Sequence, residues 1–459
     1  MDEKKTNGHN VNARYVIPFF VVLAILTVVS FIIPLRPTRS QSEKRNLAEF
    51  PEFSMEALTS GTYFEEIDTW FSDTFPGREN WLSMSSWIQE FHGYSDIAIG
   101  GEVPVDDVPV TVPEAPTAPV TLPVLETDPV EETQEQVIIE EIAPPSEDVE
   151  EWGGVDAGED AEIMYGNSLI QIGDTIFSYC KFSQMGSDRY IQSTNYAAAS
   201  LADKDVRLVS MPIPTSIGIM VENEYLEKLS CTPQNDIINY MFSGMHESVI
   251  KVDLYPTLVE HNDEYLYFRT DHHWTARGAY YAYVEICEAL GYEPAPLDSF
   301  EEWDMGDFEG SNYWSAVYPS KLKIDRLYAY VPQGDIRMLI CPDGRSGYEW
   351  PLLMDKSHRE LNSKYMAFLS GDHALCIVTN NDLPDAPNCV IVKDSYSNAM
   401  IPFLTQNYHN VYVIDYRKYY TMRLKDFVVQ YDIDDVILAN NLNAAQVGAT
   451  CDLIDQLVK

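Results

Sequence analysis

Two short segments of this chain carry side chains that could perform chemistry together. Asp271 and His273 stand two residues apart in a predicted loop, so their carboxylate and imidazole groups can converge. Ser395 follows a predicted strand, and a serine at a strand-to-helix turn is exposed beside a helix N-terminus, which favours negative charge. Because a serine nucleophile needs a base and the base needs an orienting carboxylate, the three residues predict acyl transfer. Plainer interpretations stay open: Ser395 or Ser397 could cap a helix, and a histidine could be structural.

Asp271, His272 and His273 also have the ligand types that suit a metal ion. Adjacent histidines do not usually point to one ion, and no H-x-x-x-H spacing accompanies them. The letters D-H-H occur in a family of metal-dependent phosphoesterases, but the further aspartate motifs of such a site are not evident upstream. We therefore predict neither a metal nor another cofactor, with the metal site as the weaker alternative.

These segments need a scaffold that brings them together, and the pattern from Glu162 onward predicts one. Buried-type strands alternate with helical patterns, which is typical of a parallel sheet flanked by helices. Sites in such sheets lie at the carboxyl ends of the strands. Residues 300–376 predict an antiparallel excursion. The predicted strands are "VRLVSMPIP" (206–214), "NCVIVKDS" (388–395), "NVYVIDYR" (410–417) and "DDVILANN" (434–441). The predicted helices are "DRYIQSTNYAAASLAD" (188–203) and "TARGAYYAYVEICEALGY" (275–292), and the predicted hairpin is "RLYAYVPQGDIRMLI" (326–340).

The N-terminal part predicts a membrane anchor. Tyr15 to Leu35 form an almost unbroken apolar run of 21 residues. At 1.5 Å per residue a helix of that length spans about 31 Å, enough to cross the hydrocarbon core. No clear A-x-A cleavage site follows, which favours an uncleaved, single-pass signal anchor over a removed signal; a buried core helix is the weaker alternative. Basic residues flank both ends, so they do not fix the orientation. We place residues 1–14 in the cytoplasm, since they are short and polar, and the long C-terminal body outside.

Three further regions follow the anchor. Residues 36–100 predict helices, because aromatic and aliphatic side chains recur at three- and four-residue steps. Residues 101–160 predict a disordered segment. Residues 101–165 hold 19 Asp or Glu and no Lys or Arg, and residues 101–151 contain nine prolines. Such a composition cannot bury enough apolar area to offset chain entropy. Residues 161–459 form the predicted α/β domain.

Composition excludes some classes of partner and site. The 459 residues carry a net charge of −42, and binding to nucleic acid needs clustered Lys and Arg, so nucleic acid is not a predicted partner. The seven cysteines show no C-x-x-C spacing, which argues against a zinc ribbon or a thioredoxin-type site. Most of them are predicted to be small buried apolar residues.

Several motifs together resemble the DHHW family of exported proteins, which is typical of Gram-positive, often anaerobic, bacteria. The motifs are "FRTDHHWTARGAYYAY", "NLAEFPEFS", "YFEEIDTWFSDTFPGRENW" and "KDSYSNAMIPFL". The family is similar to the SGNH hydrolase-like acetyltransferases of the alginate O-acetylation machinery, which have a D-x-H-W motif. The resemblance implies an SGNH-like fold with Asp271 as orienter, His273 as base and Ser395 as nucleophile. It gives His272 no role.

The resemblance also exposes departures from the SGNH pattern. The Asp-His pair precedes the serine, which a circularly permuted motif order explains. Lys393 stands where the G-D-S block has glycine, and Ala439 stands where the G-x-N block has glycine. Asn441 and the backbone N–H of Ser395 are the implied oxyanion donors. The candidate substrate contacts are Trp274, Tyr396 and Arg417, although Trp274 is more typical of packing than of a sugar platform.

The expected function is acetyl transfer to, or removal from, a cell-surface or exported polysaccharide. A transferase would need an acetyl donor outside the membrane, which implies a partner membrane protein. The alternative is a non-catalytic glycan-binding or assembly module that keeps the fold with degenerate blocks. The missing glycines favour this alternative, and the intact Asp271, His273 and Ser395 set favours the enzyme.

Overall fold

The computed structural model divides into two compact units, Met1–Ile97 and Ala98–Lys459. In the first unit, two short strands pair antiparallel. The second unit contains the sheet and the candidate site. The structure describes residues 169–313, 319–357 and 361–459, short stretches at 39–40, 45–46, 112–113, 119–123, 140–142 and 163–166, and the single residues 50, 63, 70, 74, 125 and 316.

The strands of the described residues form four sheets, of which the largest has nine strands in the order β3-β12-β11-β13-β15-β14-β16-β7-β8. In chain order the strands are β1 (Arg39–Ser40), β2 (Arg45–Asn46), β3 (Glu140–Ile142), β4 (Ile163–Gly166), β5 (Leu169–Ile172), β6 (Thr175–Ser178), β7 (Arg207–Ile213), β8 (Val249–Lys251), β9 (Glu301–Phe308), β10 (Asp325–Val331), β11 (Ile336–Cys341), β12 (Ser346–Trp350), β13 (Leu375–Asn380), β14 (Asn388–Lys393), β15 (Asn410–Asp415) and β16 (Asp435–Asn441).

The parallel half of the large sheet positions the site. Strands β15, β14, β16, β7 and β8 lie side by side and parallel in that order. The chain leaves β14 for β15 on one side and then crosses to β16 on the other, so the strand order reverses at β14. The crevice beyond the carboxyl end of such a reversal is the usual ligand site of an open α/β sheet. Ser395 follows β14 at this place.

The central strands are apolar on both faces, as a parallel sheet covered by helices requires. Along β14, Cys389 and Ile391 pack into one core, while Val390 and Val392 pack into the other. This alternation follows from the two-residue period of a strand. Each such side chain contributes about 1.5–3 kcal/mol on full burial. The site edge is therefore attached to a fully buried strand.

The other part of the sheet is mostly antiparallel, so the predicted parallel sheet is confirmed only for the strands from β15 to β8. The antiparallel pairs β9–β10 and β11–β12 agree with the antiparallel excursion predicted over residues 300–376. β13, β11 and β12 extend it beyond β15 with antiparallel pairing, and β3 lies parallel to β12 at the edge. The hairpin predicted over residues 326–340 is wrong, because β10 pairs with β9 and β11 pairs with β12 and β13. The turn between them has Gly334 at φ 112° and its Asp335 N–H donates to Asp382, which directs β11 toward the main sheet.

Helices cover both faces of the sheet, as the alternating pattern predicts. The helix at "TARGAYYAYVEICEALGY" begins after Thr275, whose hydroxyl accepts the Gly278 N–H, and ends at Gly291, which adopts a left-handed conformation at φ 75°. The helices are α1 (Gln184–Leu201), α2 (Ser216–Met220), α3 (Asn223–Lys228), α4 (Gln234–Gly244), α5 (Tyr255–Glu260), α6 (Ala276–Leu290), α7 (Ile401–Leu404), α8 (Leu424–Gln430), α9 (Leu442–Ala445) and α10 (Gly448–Val458), with 3₁₀ helices at Leu297–Ser299, Pro319–Lys321, Leu361–Ala367 and Ser395–Met400.

Most of the N-terminal predictions fall on residues that the structure does not describe. These are the tail at 1–14, the membrane span at 15–35, and most of the helical part at 36–100. No helix among the described residues is long and apolar enough to cross a membrane. Within the segment 101–160 that is predicted to be disordered, β3 pairs with β12, and Val112 and Leu122 pack against the core.

All seven cysteines lie among the described residues, buried and without a disulfide. This confirms the prediction that they are small core residues.

A buried carboxylate holds the end of the sheet that lies opposite the site. Asp435, at the start of β16, is fully buried and accepts two hydrogen bonds from Arg207, at 2.6 and 2.8 Å. The hydroxyls of Tyr292 and Tyr408 also donate to it, at 2.9 and 2.8 Å. The carboxylate thus joins β7, β16 and the two segments that follow α6 and α7.

Replacing Asp435 with Ala should lower the free energy of unfolding by about 3 kcal/mol, because the buried Tyr408 hydroxyl and the partly buried Arg207 guanidinium lose their acceptor. Urea unfolding measures this change. The matched control is Glu349→Ala, which breaks an exposed pair with Arg337 and should leave the midpoint almost unchanged. Equal midpoints for the Asp435→Ala variant and the unsubstituted protein would contradict the structural role of Asp435.

Candidate active site

Ser395 is held in place by the aspartate that precedes it. Asp394 caps the 3₁₀ helix Ser395–Met400, since its Oδ1 accepts the Tyr396 N–H at 3.0 Å. Its Oδ2 accepts both the backbone N–H and the side-chain amide of Asn441, each at 2.9 Å. The carboxylate therefore ties the end of β14 to the end of β16. Capping is indeed present, but Asp394 performs it, and the Ser395 hydroxyl is left for another partner.

The structure brings the three residues of the predicted triad together. His273 Nε2 lies 2.9 Å from Ser395 Oγ, and His273 Nδ1 lies 2.5 Å from Asp271 Oδ1. Because an ionised carboxylate only accepts, the ring proton sits on Nδ1 and Nε2 is left to accept the serine proton. This is the arrangement in which a histidine activates a serine hydroxyl.

Asp271 is buried, yet its environment favours the charged form. Burial raises its pKa, but the charges of His273 and His272 and hydrogen bonds from His273 and the Ser311 N–H outweigh burial, and the pKa lies well below its usual range. The Ser311 N–H donates to Asp271 Oδ2 at 2.6 Å. Gly310 permits this approach, because a Cβ there would lie 2.3 Å from the Asp271 Cβ and 2.4 Å from the Thr270 carbonyl oxygen.

A second buried carboxylate anchors the loop that carries Asp271. Asp325, the first residue of β10, accepts the N–H groups of Arg269 and Thr270, at 2.8 and 2.7 Å. It also accepts the hydroxyls of Thr270 and Tyr265, both at 2.6 Å. Burial raises the pKa of Asp325 to about 6, while these donors favour its charged form. The carboxylate holds the loop through four hydrogen bonds.

Tyr365 is a site residue that sequence reasoning missed. Its ring stacks on His273 with a centroid separation of 3.8 Å and an interplanar angle of 11°. Its hydroxyl contacts the carbonyl oxygens of Ser395 and Tyr396, at 3.2 and 3.1 Å. One side chain therefore contacts the base and the backbone of the nucleophile. It lies in the 3₁₀ helix Leu361–Ala367, a segment outside all the motifs quoted from the sequence.

Trp274 and Tyr396 do not offer a surface to substrate. Trp274 is fully buried and Tyr396 is 1% exposed. The indole N–H of Trp274 donates to the Tyr396 carbonyl oxygen at 2.7 Å. Because a ring without exposed surface cannot stack on a sugar, this arrangement does not support their predicted role as substrate contacts. Trp274 instead joins the Asp271–His273 loop to the segment that carries Ser395.

Lys393, which replaces the glycine of the serine block, belongs to a buried ionic cluster. Its ammonium lies 2.6 Å from Asp372 Oδ1 and 3.9 Å from Asp415 Oδ2. Arg417 contacts the same two carboxylates, at 2.8 and 2.6 Å. Asp372 also accepts the amide of Asn398 at 3.1 Å. Two of the guanidinium nitrogens of Arg417 are thus bound to protein carboxylates, while its side chain stays 36% exposed, and its use as a substrate contact stays a prediction.

The predicted oxyanion donors lie at this edge of the sheet. Asn441 uses one amide hydrogen on Asp394, and its Oδ1 accepts the Ala444 N–H at the start of α9. Among the described residues, no acceptor is found for the backbone N–H of Ser395. That N–H lies at the start of a 3₁₀ helix that continues into α7. The start of a helix carries partial positive charge. The oxyanion role of Asn441 and Ser395 stays a prediction.

Asp271, His272 and His273 also form a group whose ligand atoms lie within 4.8 Å of one another. A metal on these atoms would compete with the bonds already made, because the Nδ1 of His273 serves Asp271 and its Nε2 serves Ser395. The geometry favours a proton-transfer chain over a coordination site.

Comparison with known proteins identifies the family. The family model described as DHHW protein matches residues 43–122 and 129–414. The chain belongs to the DHHW family. The predicted resemblance is therefore confirmed, and the D-H-H-W letters of the family name are Asp271 to Trp274 in this chain. No curated protein sequence matches the chain.

Solved structures share the fold of this DHHW protein. A DHHW family protein from Eubacterium siraeum is 24% identical, with a TM-score of 0.59 over 65% of this chain and 98% of that one. Bacillus cereus PatB1 with a sulfonyl adduct is 15% identical, with a TM-score of 0.51 over 64% of this chain and 98% of that one. The O-acetyltransferase domain of Pseudomonas putida AlgJ is 13% identical, over 64% of this chain and 99% of that one, but its TM-score of 0.35 is too low to carry an argument.

The lowered pKa of Asp271 makes stability depend on pH in a defined direction. A depressed carboxyl pKa stabilises the folded state above the unfolded value of about 3.9, and this stabilisation is lost as the pH falls through the folded value. The free energy of unfolding should therefore exceed that of Asp271→Asn at pH 7, with a difference that shrinks below about pH 4. Urea unfolding of both proteins across this range measures it. A difference that is constant with pH would contradict the ionised state of Asp271.

Proposed function

We propose that this DHHW protein is a serine-dependent O-acetyltransferase or acetylesterase that acts on a cell-surface or exported polysaccharide. The observation that carries the proposal is the continuous hydrogen-bond chain from Asp271 through His273 to Ser395, with links of 2.5 and 2.9 Å. Family membership supports it, since the DHHW motifs resemble those of SGNH-like acetyltransferases. PatB1, which shares the fold, has been captured with a sulfonyl adduct, and we assign the corresponding reactivity here to Ser395.

The first half of the reaction uses the three residues in sequence. His273 Nε2 takes the Ser395 proton as Oγ attacks the acetyl carbonyl of the donor. The resulting oxyanion accepts the backbone N–H of Ser395 at the helix start. When the carbonyl re-forms, the donor oxygen leaves with the proton held on His273, and Ser395 keeps the acetyl group.

The second half regenerates the serine. His273 takes a proton from a sugar hydroxyl or from water, and that oxygen attacks the acetyl-serine carbonyl. Collapse of this second tetrahedral intermediate breaks the Ser395 ester bond, and His273 returns the proton to Oγ. Asp271 stays ionised throughout and holds the imidazolium that forms twice in each cycle.

The cellular setting is part of the proposal. The apolar run at 15–35 would anchor the protein as a single pass in the cell membrane, with the body outside. A partner membrane protein would then supply the acetyl group, because a transferase at that location needs a donor delivered across the membrane.

Replacing Ser395 with Ala should reduce turnover of p-nitrophenyl acetate by the full chain at least about 10³-fold, because no side-chain oxygen remains at this position to attack the acetyl carbonyl. The matched control is Ser397→Ala. That hydroxyl is buried and donates to the Ala439 carbonyl oxygen at 3.1 Å, so its loss should leave turnover within a few fold. Chito-oligosaccharides added as acceptors separate transfer from hydrolysis. Transfer gives acetylated oligosaccharides, which mass spectrometry detects, whereas hydrolysis releases only acetate.

Equal turnover by the Ser395→Ala and unsubstituted proteins would contradict the proposal. If the unsubstituted protein shows no turnover and Ser395→Ala retains glycan binding, the non-catalytic module is the correct function.

A further inference from the structure

His272 gives the family name its first H, and the proposed reaction assigns it no part. Its Nδ1 lies 3.7 Å from Asp271 Oδ1, against 2.5 Å for His273 Nδ1, and the described contact with Ser395 Oγ is made by His273. Its side chain is 40% exposed, whereas that of His273 is 7% exposed. These distances exclude His272 as the base in this arrangement and leave its role to be explained by its other contacts.

The first of these contacts is with the face of the base. The rings of His272 and His273 lie with centroids 3.9 Å apart and planes inclined by 36°. Tyr365 already stacks on His273 at 3.8 Å. Two rings whose centroids both lie within 4 Å of the His273 centroid cannot occupy the same face of that imidazole. We therefore place Tyr365 on one face of His273 and His272 on the other.

The second contact leads to the carboxylate. His272 Nδ1 forms a hydrogen bond with Ser311 Oγ at 2.8 Å. The backbone N–H of the same serine donates to Asp271 Oδ2 at 2.6 Å. A closed ring of contacts therefore runs from His273 to His272, to Ser311, to Asp271 and back to His273.

We propose that His272 is a positioning residue: by stacking on His273 and holding Ser311, it keeps the Asp271–His273 hydrogen bond aligned and screened from water. The functional meaning of this role rests on the proposed triad, whereas the contacts themselves do not.

Physical considerations explain why such a residue matters. A hydrogen bond to a carboxylate is stronger where water is excluded, because the effective dielectric constant is lower. Tyr365 covers one face of the His273 imidazole. Without His272, the opposite face would be open to water. Catalytic groups also need to be held within about 10–20° of the productive orientation. The stack limits tilting of the base, and the Ser311 bond limits movement of the carboxylate.

The test measures the screened bond itself. In the full chain labelled with ¹⁵N-histidine, the solvent exchange rate of the His273 Nδ1 proton is followed by NMR. His272→Ala should exchange about tenfold faster than the unsubstituted protein, because it opens one face of the ring. His272→Phe restores the stack and should recover most of the protection. Ser311→Ala keeps the stack and should give an intermediate rate.

The control is a second histidine that also stacks on a ring. The ring centroids of His261 and Tyr281 lie 4.1 Å apart, and His261 Nδ1 forms a hydrogen bond with Glu264. Neither partner is a residue of the triad. His261→Ala should leave His273 exchange unchanged. Thermal unfolding of every variant shows whether exchange occurs through global opening.

The outcomes separate this inference from the proposed function. Unchanged exchange in His272→Ala, or an equal rise in His261→Ala, would overturn the positioning role even if acetyl turnover depends on Ser395. Faster exchange in His272→Ala alone would uphold it even if Ser395→Ala left acetyl turnover intact, in which case only the proposed reaction fails.

Discussion

The candidate site depends on one hydrogen bond, between Ser395 and His273, which stand 122 positions apart in the chain. It can form only if the end of β14 and the loop before α6 are fixed to each other within a few tenths of an ångström. The Tyr396 carbonyl oxygen provides that fixation, since it receives the indole N–H of Trp274 at 2.7 Å and the hydroxyl of Tyr365 at 3.1 Å. Two buried aromatic side chains thus join the two halves of the site.

Each half is in turn anchored by a buried carboxylate. Asp325 holds the loop before α6 through Arg269 and Thr270, and Asp394 holds the start of the 3₁₀ helix and the end of β16 through Asn441. Ionised carboxylates are costly to bury unless several donors meet them. Both carboxylates have those donors from the backbone, so each loop is hydrogen-bonded next to the point where a side chain of the candidate site leaves it.

The ionic cluster gives a physical reason for the departure from glycine in the serine block. Lys393 is 1% exposed, and its charge is met by Asp372, which also binds Arg417 and Asn398. The cluster is bonded to the segment that carries Ser395 through Asn398, and its two cations are balanced by its two carboxylates. A glycine at that position would leave Asp372 without its nearest cation. The departure therefore does not argue against catalysis, since a different set of contacts supports the same turn.

Sequence reasoning predicts the parts of this structure that local patterns determine. The strands at β14, β15 and β16 follow from apolar runs, and the triad follows from Asp271, His273 and Ser395 in their motifs. Pairing between distant segments was not predictable in the same way. β10 and β11 are adjacent in the chain but belong to different sheets, and Tyr365, Asp325 and Asp372 reach the site from segments that carry no motif. Their roles come from three-dimensional proximity, which periodicity does not encode.

The central claim is that Ser395 is a nucleophile activated by His273. The most direct measurement treats the full chain with a fluorophosphonate and locates the adduct by peptide mass. We expect a single adduct on Ser395, retained in Ser397→Ala and lost in His273→Ala. An adduct on another residue, or labelling of His273→Ala at the unsubstituted rate, would contradict it.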